Sequence, residues 1–129
     1  MMGTGILPCF EEPELARAVE GLSEEQINRL PFGAIRLDAA GTITFYSEAE
    51  RRLSGSGGRQ RLGRHLFTEI APCMDNDAFR GRIERARERG TLDLEFTHIG
   101  DFADLDRELT VRVQSASDGG LWIFLRRET

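Results

Sequence analysis

Four side chains in this sequence have the types and spacing to hold a covalently attached group: Cys73, in Ala71-Pro72-Cys73, and Tyr46, Glu50 and Ser54 upstream of it. The upstream three follow i, i+4, i+8. On a helix entered from a strand, that spacing stacks a phenol, a carboxyl and a hydroxyl along one face. One well-placed thiol beside a carboxylic acid that can be buried points to a covalent cofactor site. Blander readings stand beside this one. A free cysteine is commonly a small core hydrophobe. Ser47-Glu48-Ala49-Glu50 is also a capping box, which would make Glu50 a helix-end carboxylate. Tyr46 fits a strand aromatic, and Ser54 next to Gly55 fits a helix end.

Composition narrows the chemistry. The 129 residues are 40% hydrophobic and 30% charged, which suits one soluble globular domain with a core of its own. A net charge of −5 argues against nucleic-acid binding, which wants a basic footprint. All 17 basic residues are arginine. Without lysine, neither a retinal nor a pyridoxal Schiff base can form, so a covalent cofactor needs another nucleophile. The two cysteines, Cys9 and Cys73, do not make a disulfide framework, and His65 and His98 are too few for a zinc set. Gly55-Ser56-Gly57-Gly58 lacks the lysine and the strand–helix context of a phosphate loop. No apolar stretch reaches membrane-span length, and the start lacks the regions of a signal peptide. A cytoplasmic location is the expectation.

The elements that must position the four residues follow from pattern. Residues 1–29 read as an N-terminal helical cap, with one helix after Pro13 and a second opened by Ser23-Glu24-Glu25-Gln26 and running through Leu30. Period two then marks strands at Phe32–Leu37 and Thr42–Tyr46 around the turn Asp38-Ala39-Ala40-Gly41. Ser47 caps a helix over Glu48–Leu53, a glycine-rich connection follows, and residues 59–73 read as irregular or short-helical. Asp77 is expected to cap a helix from Ala78 to Arg89, with Phe79, Ile83 and Ala86 as its apolar stripe and Gly90 closing it. Strands at about 91–99, 107–116 and 121–127 complete the chain, with Trp122 and Phe124 in the core. This is the order of a PAS domain, an α+β fold in which a five-stranded antiparallel sheet carries helices on one face and a pocket between. Residues 30–129 would form that core.

Leu30-Pro31-Phe32-Gly33-Ala34-Ile35-Arg36-Leu37-Asp38, the Tyr46-x-x-x-Glu50 step and Ile70-Ala71-Pro72-Cys73 resemble the photoactive yellow proteins. The match runs without a gap from about Leu30 to Phe79 and more loosely to Trp122-Ile123-Phe124, one residue short near Gly120. The resemblance implies a blue-light photoreceptor, not an enzyme, carrying p-coumaric acid (4-hydroxycinnamic acid) as a thioester on Cys73. It implies that Tyr46 and Glu50 hold the phenolic oxygen, that Ser54 supports Tyr46, and that Ser56, Ala71, Pro72 and Phe102 line the pocket. Ser56 replaces the family's covering arginine, which leaves the pocket more open to water. The segment 101–106 lacks the methionine that speeds thermal return, so dark recovery should be slow. A monomer or weak dimer acting on an unknown downstream partner or output domain is expected, with neither nucleic acid nor membrane. Two alternatives remain: a PAS interaction or small-ligand module without chromophore, and a redox thiol at Cys73.

The residue types suit that chemistry. Burying a phenolate costs several kcal/mol unless it is well hydrogen-bonded, and Tyr46 with a protonated Glu50 would supply two charge-assisted donors. Burial and an adjacent negative oxygen both favour neutral Glu50. After light-driven isomerisation, Glu50 would give its proton to the phenolate. A lone carboxylate in an apolar pocket carries a penalty of roughly 3–5 kcal/mol, against a domain stability of about 5–15 kcal/mol. That penalty is expected to loosen the least stable unit, the N-terminal cap, as the signal.

Overall fold

The structure, a computed structural model, describes residues 7–53, 61–90, 92–99 and 107–127, the side chains of Leu53 and Cys73 apart. Two short helices come first, α1 (Leu15–Glu20) and α2 (Glu24–Ile27). Strands β1 (Gly33–Leu37) and β2 (Ile43–Tyr46) then lead into α3 (Glu48–Leu53). Wide turns follow at Leu66–Ile70 and Asp77–Gly81, separated by a 3₁₀ turn at Pro72–Met74. Helix α4 (Arg82–Glu88) and strands β3 (Asp93–Ile99), β4 (Glu108–Ser115) and β5 (Leu121–Arg127) finish the chain. The five strands form one antiparallel sheet in the order β2-β1-β5-β4-β3.

Strand alternation divides the core in two. On one face, Ile35, Leu37, Leu109, Val111, Val113, Ile123 and Leu125 pack with Ala71, Met74, Phe79, Ile83 and Ala86 from the connecting turns and α4. The apolar stripe of α4 is therefore buried as expected. On the opposite face, Ala34, Trp122 and Phe124 pack under Phe10, Leu15, Val19, Ile27 and Leu30. The helical lead-in covers this second face, so the sheet is buried on both sides. Period two makes this possible, because neighbouring residues of β5 serve different cores.

Local chemistry sets the boundaries. Ser23 and Gln26 complete a reciprocal capping box at the start of α2. The helix ends at Ile27, three residues before the expected Leu30, and i→i+3 bonds from Arg29 and Leu30 carry the chain on to Pro31. Gly41 at φ +94° closes the β1–β2 turn, where a methyl would meet His65 Nε2 at 2.6 Å. The expected Asp77 cap is displaced by one residue. Asn76 has extended backbone and accepts the Phe79 N–H at 3.0 Å, while Asp77 Oδ1 instead takes a 2.5 Å hydrogen bond from Arg85. The first turn is wider than an α-turn, with Gly81 N–H bonded to Asn76 O at 3.0 Å.

The lead-in is fastened by polar side chains as well as by its apolar face. From β4, Arg112 Nη1 donates to Phe10 O and Glu12 O at 2.7 Å each, and Gln114 Nε2 donates to Pro13 O at 2.9 Å. Gln114 Oε1 accepts the Ala16 N–H at 2.7 Å. Glu20, on α1, accepts from Trp122 Nε1 at 2.9 Å and from Ser117 N at 3.0 Å, and it lies 3.4 Å from Arg36. Burial alone would raise the Glu20 carboxyl, but the bonds from Trp122 and Ser117 and the charge of Arg36 hold it below the ordinary glutamate value. A depressed carboxyl stabilises the fold above its unfolded pKa of about 4.3, and that contribution is lost as pH falls through the folded value. Urea titrations between pH 3 and 6 should therefore show Glu20→Gln with a shallower acid-side loss of stability than the parent. Parallel curves would deny Glu20 this role.

Candidate functional site

Strand β2 ends at Tyr46, and Ser47 turns the chain into α3. Ser47 is fully buried; its Oγ accepts the Ala34 N–H at 3.0 Å and the Glu50 N–H at 3.2 Å. The helix start is thus pinned to β1, and Asn28 Oδ1 adds a bond from Glu48 N–H at 2.9 Å. This rigid entry sets the side chain of Glu50 over the edge of β1. Gly33 makes the room, since a methyl built there would stand 1.9 Å from Glu50 Oε1.

Glu50 is fully buried, and its carboxylate is held by Arg127 at the end of β5. Both oxygens are engaged: Nη1 donates to Oε1 and Nη2 to Oε2, each at 2.8 Å. The Arg127 side chain is itself only 3% exposed. A forked guanidinium–carboxylate pair of this length is the strongest arrangement two such groups adopt. The Ser47 N–H, which a reciprocal capping box would send to Glu50, goes instead to Ala34 O at 2.9 Å. The forked pair also corrects the expectation of a lone carboxylate, because an ionised Glu50 has a cation at hydrogen-bond distance.

Tyr46 is half-buried against the cluster that contains Ala71 and Met74, the residues flanking Pro72 and Cys73. The guanidinium carbon of Arg61, a buried residue, stands 4.8 Å from the centre of the Tyr46 ring. The backbone of Cys73 lies in the 3₁₀ turn, held by Met74 N–H to Ala71 O at 2.9 Å and Asp75 N–H to Pro72 O at 3.1 Å. Tyr46, Ala71 and the Cys73 turn therefore meet on the α4 side of the sheet, while Pro72 is exposed. Ser54, Ser56, Phe102 and the whole 101–106 segment lie outside the described residues.

Sequence reasoning missed Arg127 and Arg61. A signal for Arg127 was present: it continues the Leu121, Ile123, Leu125 alternation, which marks the helix-facing side of β5. Its place in Arg126-Arg127-Glu128 looks like a solvated tail instead. His98 also lies near this core, its ring edge-on to Phe79 at 5.0 Å between centres. Burial, followed by the charge of Arg82, holds His98 below the ordinary imidazole value.

The Gly33–Glu50 approach has a measurable consequence. Gly33→Ala should destabilise the protein by about 1–3 kcal/mol in urea unfolding, as overpacking does. In a Glu50→Ala background the added methyl should cost far less. Equal penalties in both backgrounds would show that Glu50 does not occupy the space over Gly33.

No family model matches the chain. Individual relatives do. It is 34% identical to the photoactive yellow protein of Rhodothalassium salexigens, over 92% of this chain and 95% of that protein. It is 29% identical to the photoactive yellow protein of Halochromatium salexigens over the same shares. Among solved structures, it matches the photoactive yellow protein domain of the sensor histidine kinase Ppr from Rhodospirillum centenum. There the identity is 37% and the TM-score 0.77, covering 86% of this chain and 98% of that domain. A PAS domain of an HTR-like protein from Haloarcula marismortui, at 14% identity and TM-score 0.59, shares the fold. With a buried acid, a phenol and a cysteine turn on one face of a PAS sheet, the chain belongs to the photoactive yellow protein family of PAS photoreceptors.

Proposed function

We propose that this chain senses blue light through a p-coumaroyl thioester on Cys73, with Tyr46 and Glu50 at the phenolic oxygen and the N-terminal cap as its output. The observation that carries this reading is that Tyr46 and the Cys73 turn pack on the same face of the sheet over which buried Glu50 lies, in a chain of this family. The donor set fits such a group once Glu50 takes up a proton and frees one oxygen from the Arg127 fork. A phenol and a carboxylic acid can then both donate to a phenolate oxygen, and with no lysine in the chain a thiol is the natural acyl acceptor.

When bound, the group supplies visible absorption and a double bond that light isomerises from trans to cis. The polypeptide does the rest. Sγ of Cys73 anchors the acyl end. Before illumination, Tyr46 Oη–H and a protonated Glu50 donate to the phenolic oxygen, with the Ser54 hydroxyl supporting Tyr46. Glu50 then releases its carboxyl proton to that oxygen and becomes a carboxylate. Ala71, Pro72 and Phe102 line the space, and Ser56 leaves it accessible to water. Without a methionine in 101–106, the return should be slow.

The cap suits an output element. Apart from its apolar face, it is held by Arg112, Gln114 and the carboxylate of Glu20, all acting on the sheet face opposite the site. Sub-global units open at free energies between near zero and that of global unfolding, so the cap can undock without the sheet coming apart. A cytoplasmic sensor with a downstream partner or output domain, and no catalytic step of its own, completes the reading.

Reconstitution with activated p-coumarate tests it. The parent should gain one coumaroyl mass and a visible band, and Cys73→Ala should gain neither; protein that stays colourless under activated coumarate would favour a chromophore-free PAS interaction module. In loaded Glu50→Gln, light should no longer cause proton release from residue 50, and hydrogen exchange in residues 7–30 should rise much less than in the parent. Equal cap exchange in the two proteins would break the link between Glu50 and the output.

A further inference from the structure

Arg127 has no part in the reading so far, yet it makes the most fully buried ion pair among the described residues. Its side chain is 3% exposed, that of Glu50 is 0%, and two 2.8 Å hydrogen bonds join them. Arginine does not lose its proton in proteins, so the bidentate partner must be a carboxylate. The geometry belongs to ionised Glu50. A neutral Glu50 keeps one oxygen as a hydroxyl and cannot accept the fork at both.

Among the described residues, three neighbours of Glu50 along the chain have other engagements. Tyr46, four residues before it, is a neutral phenol with Arg61 over its ring. Ser47 Oγ serves the backbone N–H groups of Ala34 and Glu50. On α3 itself, Arg51 is exposed and paired with Glu48 at 2.9 Å.

We propose that Arg127 is a positioning cation that captures the Glu50 carboxylate after proton release, so that the fold itself holds the illuminated state. This rests on the function proposed above. It assigns to β5 a task that the position of Glu50 alone does not supply. The strand also gives that capture a path outward. Arg126, the residue before it, points to the opposite face, where its guanidinium pairs with Glu11 and stands 4.6 Å from the Phe10 ring centre. Consecutive residues of one strand end therefore grip the acid on one side of the sheet and the cap on the other. A shift of Arg127 toward Glu50 moves the backbone from which Arg126 holds the cap.

Two substitutions separate pairing from mere packing: Arg127→Gln, which removes the charge, and Arg127→Lys, which keeps it. In protein not yet treated with coumarate, the ¹³C shift of the Glu50 carboxyl reports ionisation directly. The parent and Arg127→Lys should read as carboxylate at pH 7, whereas Arg127→Gln should read as neutral acid. After loading and illumination, Arg127→Gln should return to the dark state at least roughly tenfold faster, with Arg127→Lys closer to the parent. A carboxylate at pH 7 in Arg127→Gln, or unchanged recovery, would overturn the proposal. Should Arg127→Gln not fold, a neutral Glu50 at pH 7 in the untreated parent would overturn it, and a carboxylate there with slow recovery in Arg127→Lys would support it. Failure of Cys73 to take up the acyl group would sink the photoreceptor reading instead, and the carboxyl measurement in untreated protein would still judge the pair.

Discussion

A carboxyl group sealed from water must be neutral or compensated, and that one constraint organises the centre of this molecule. Glu50 is fully buried, and Arg127 compensates it through both oxygens. For the two to meet, α3 must start at a fixed point, β1 must yield space and β5 must run to its full length. Ser47 secures the first by tying the helix start to Ala34, and Gly33 secures the second by having no side chain. The third follows from the β1–β5 and β4–β5 ladders that pair β5 on both edges. Breaking a buried pair of this kind by deleting one partner costs several kcal/mol, because the survivor is left unmatched. Such a contact is therefore a sensitive place at which to add or remove a proton.

The sheet connects that pair to the rest of the fold. Both its faces are buried, by the turns and α4 on one side and by the N-terminal lead-in on the other. Alternation along β5 gives Ile123, Leu125 and Arg127 to the first face, and Trp122, Phe124 and Arg126 to the second. Cap and site never need to touch. They share a strand, with Arg127 on one face and Arg126 on the other. The polar bonds of Arg112 and Gln114 to backbone carbonyls of residues 10–13 make the docked position of the lead-in specific rather than greasy.

Much of this arrangement was readable in the residues, and the omissions have physical causes. Helix α3, its serine cap and the strand before it follow from local rules, because Ser47 and the change of period act within a few residues. The three C-terminal strands were placed within two residues at each end for the same reason. The wide turns at Leu66–Ile70 and Asp77–Gly81 were not foreseen as such, since i→i+5 bonding has no residue signature of its own. With Asn76 and Asp77 adjacent, either could cap, and only the path of the first turn chose Asn76. Arg127 was missed because charge near a chain end reads as solvated. Its partner lies 77 positions away, a distance over which pattern is silent. Tyr46 and Glu50 could be read from the residues only as candidates in register with Cys73, whereas the cation that pairs with Glu50 required the closed sheet.

Under the proposed function, a proton sits on Glu50 before illumination and leaves it afterwards. Light-minus-dark infrared difference spectra of the coumaroyl-loaded protein, with ¹³C-labelled glutamate and an unlabelled control, measure this directly. One isotope-shifted protonated-carboxyl band should disappear with a matching carboxylate gain, both absent in Glu50→Gln. Spectra in which no protonated carboxyl disappears would contradict it.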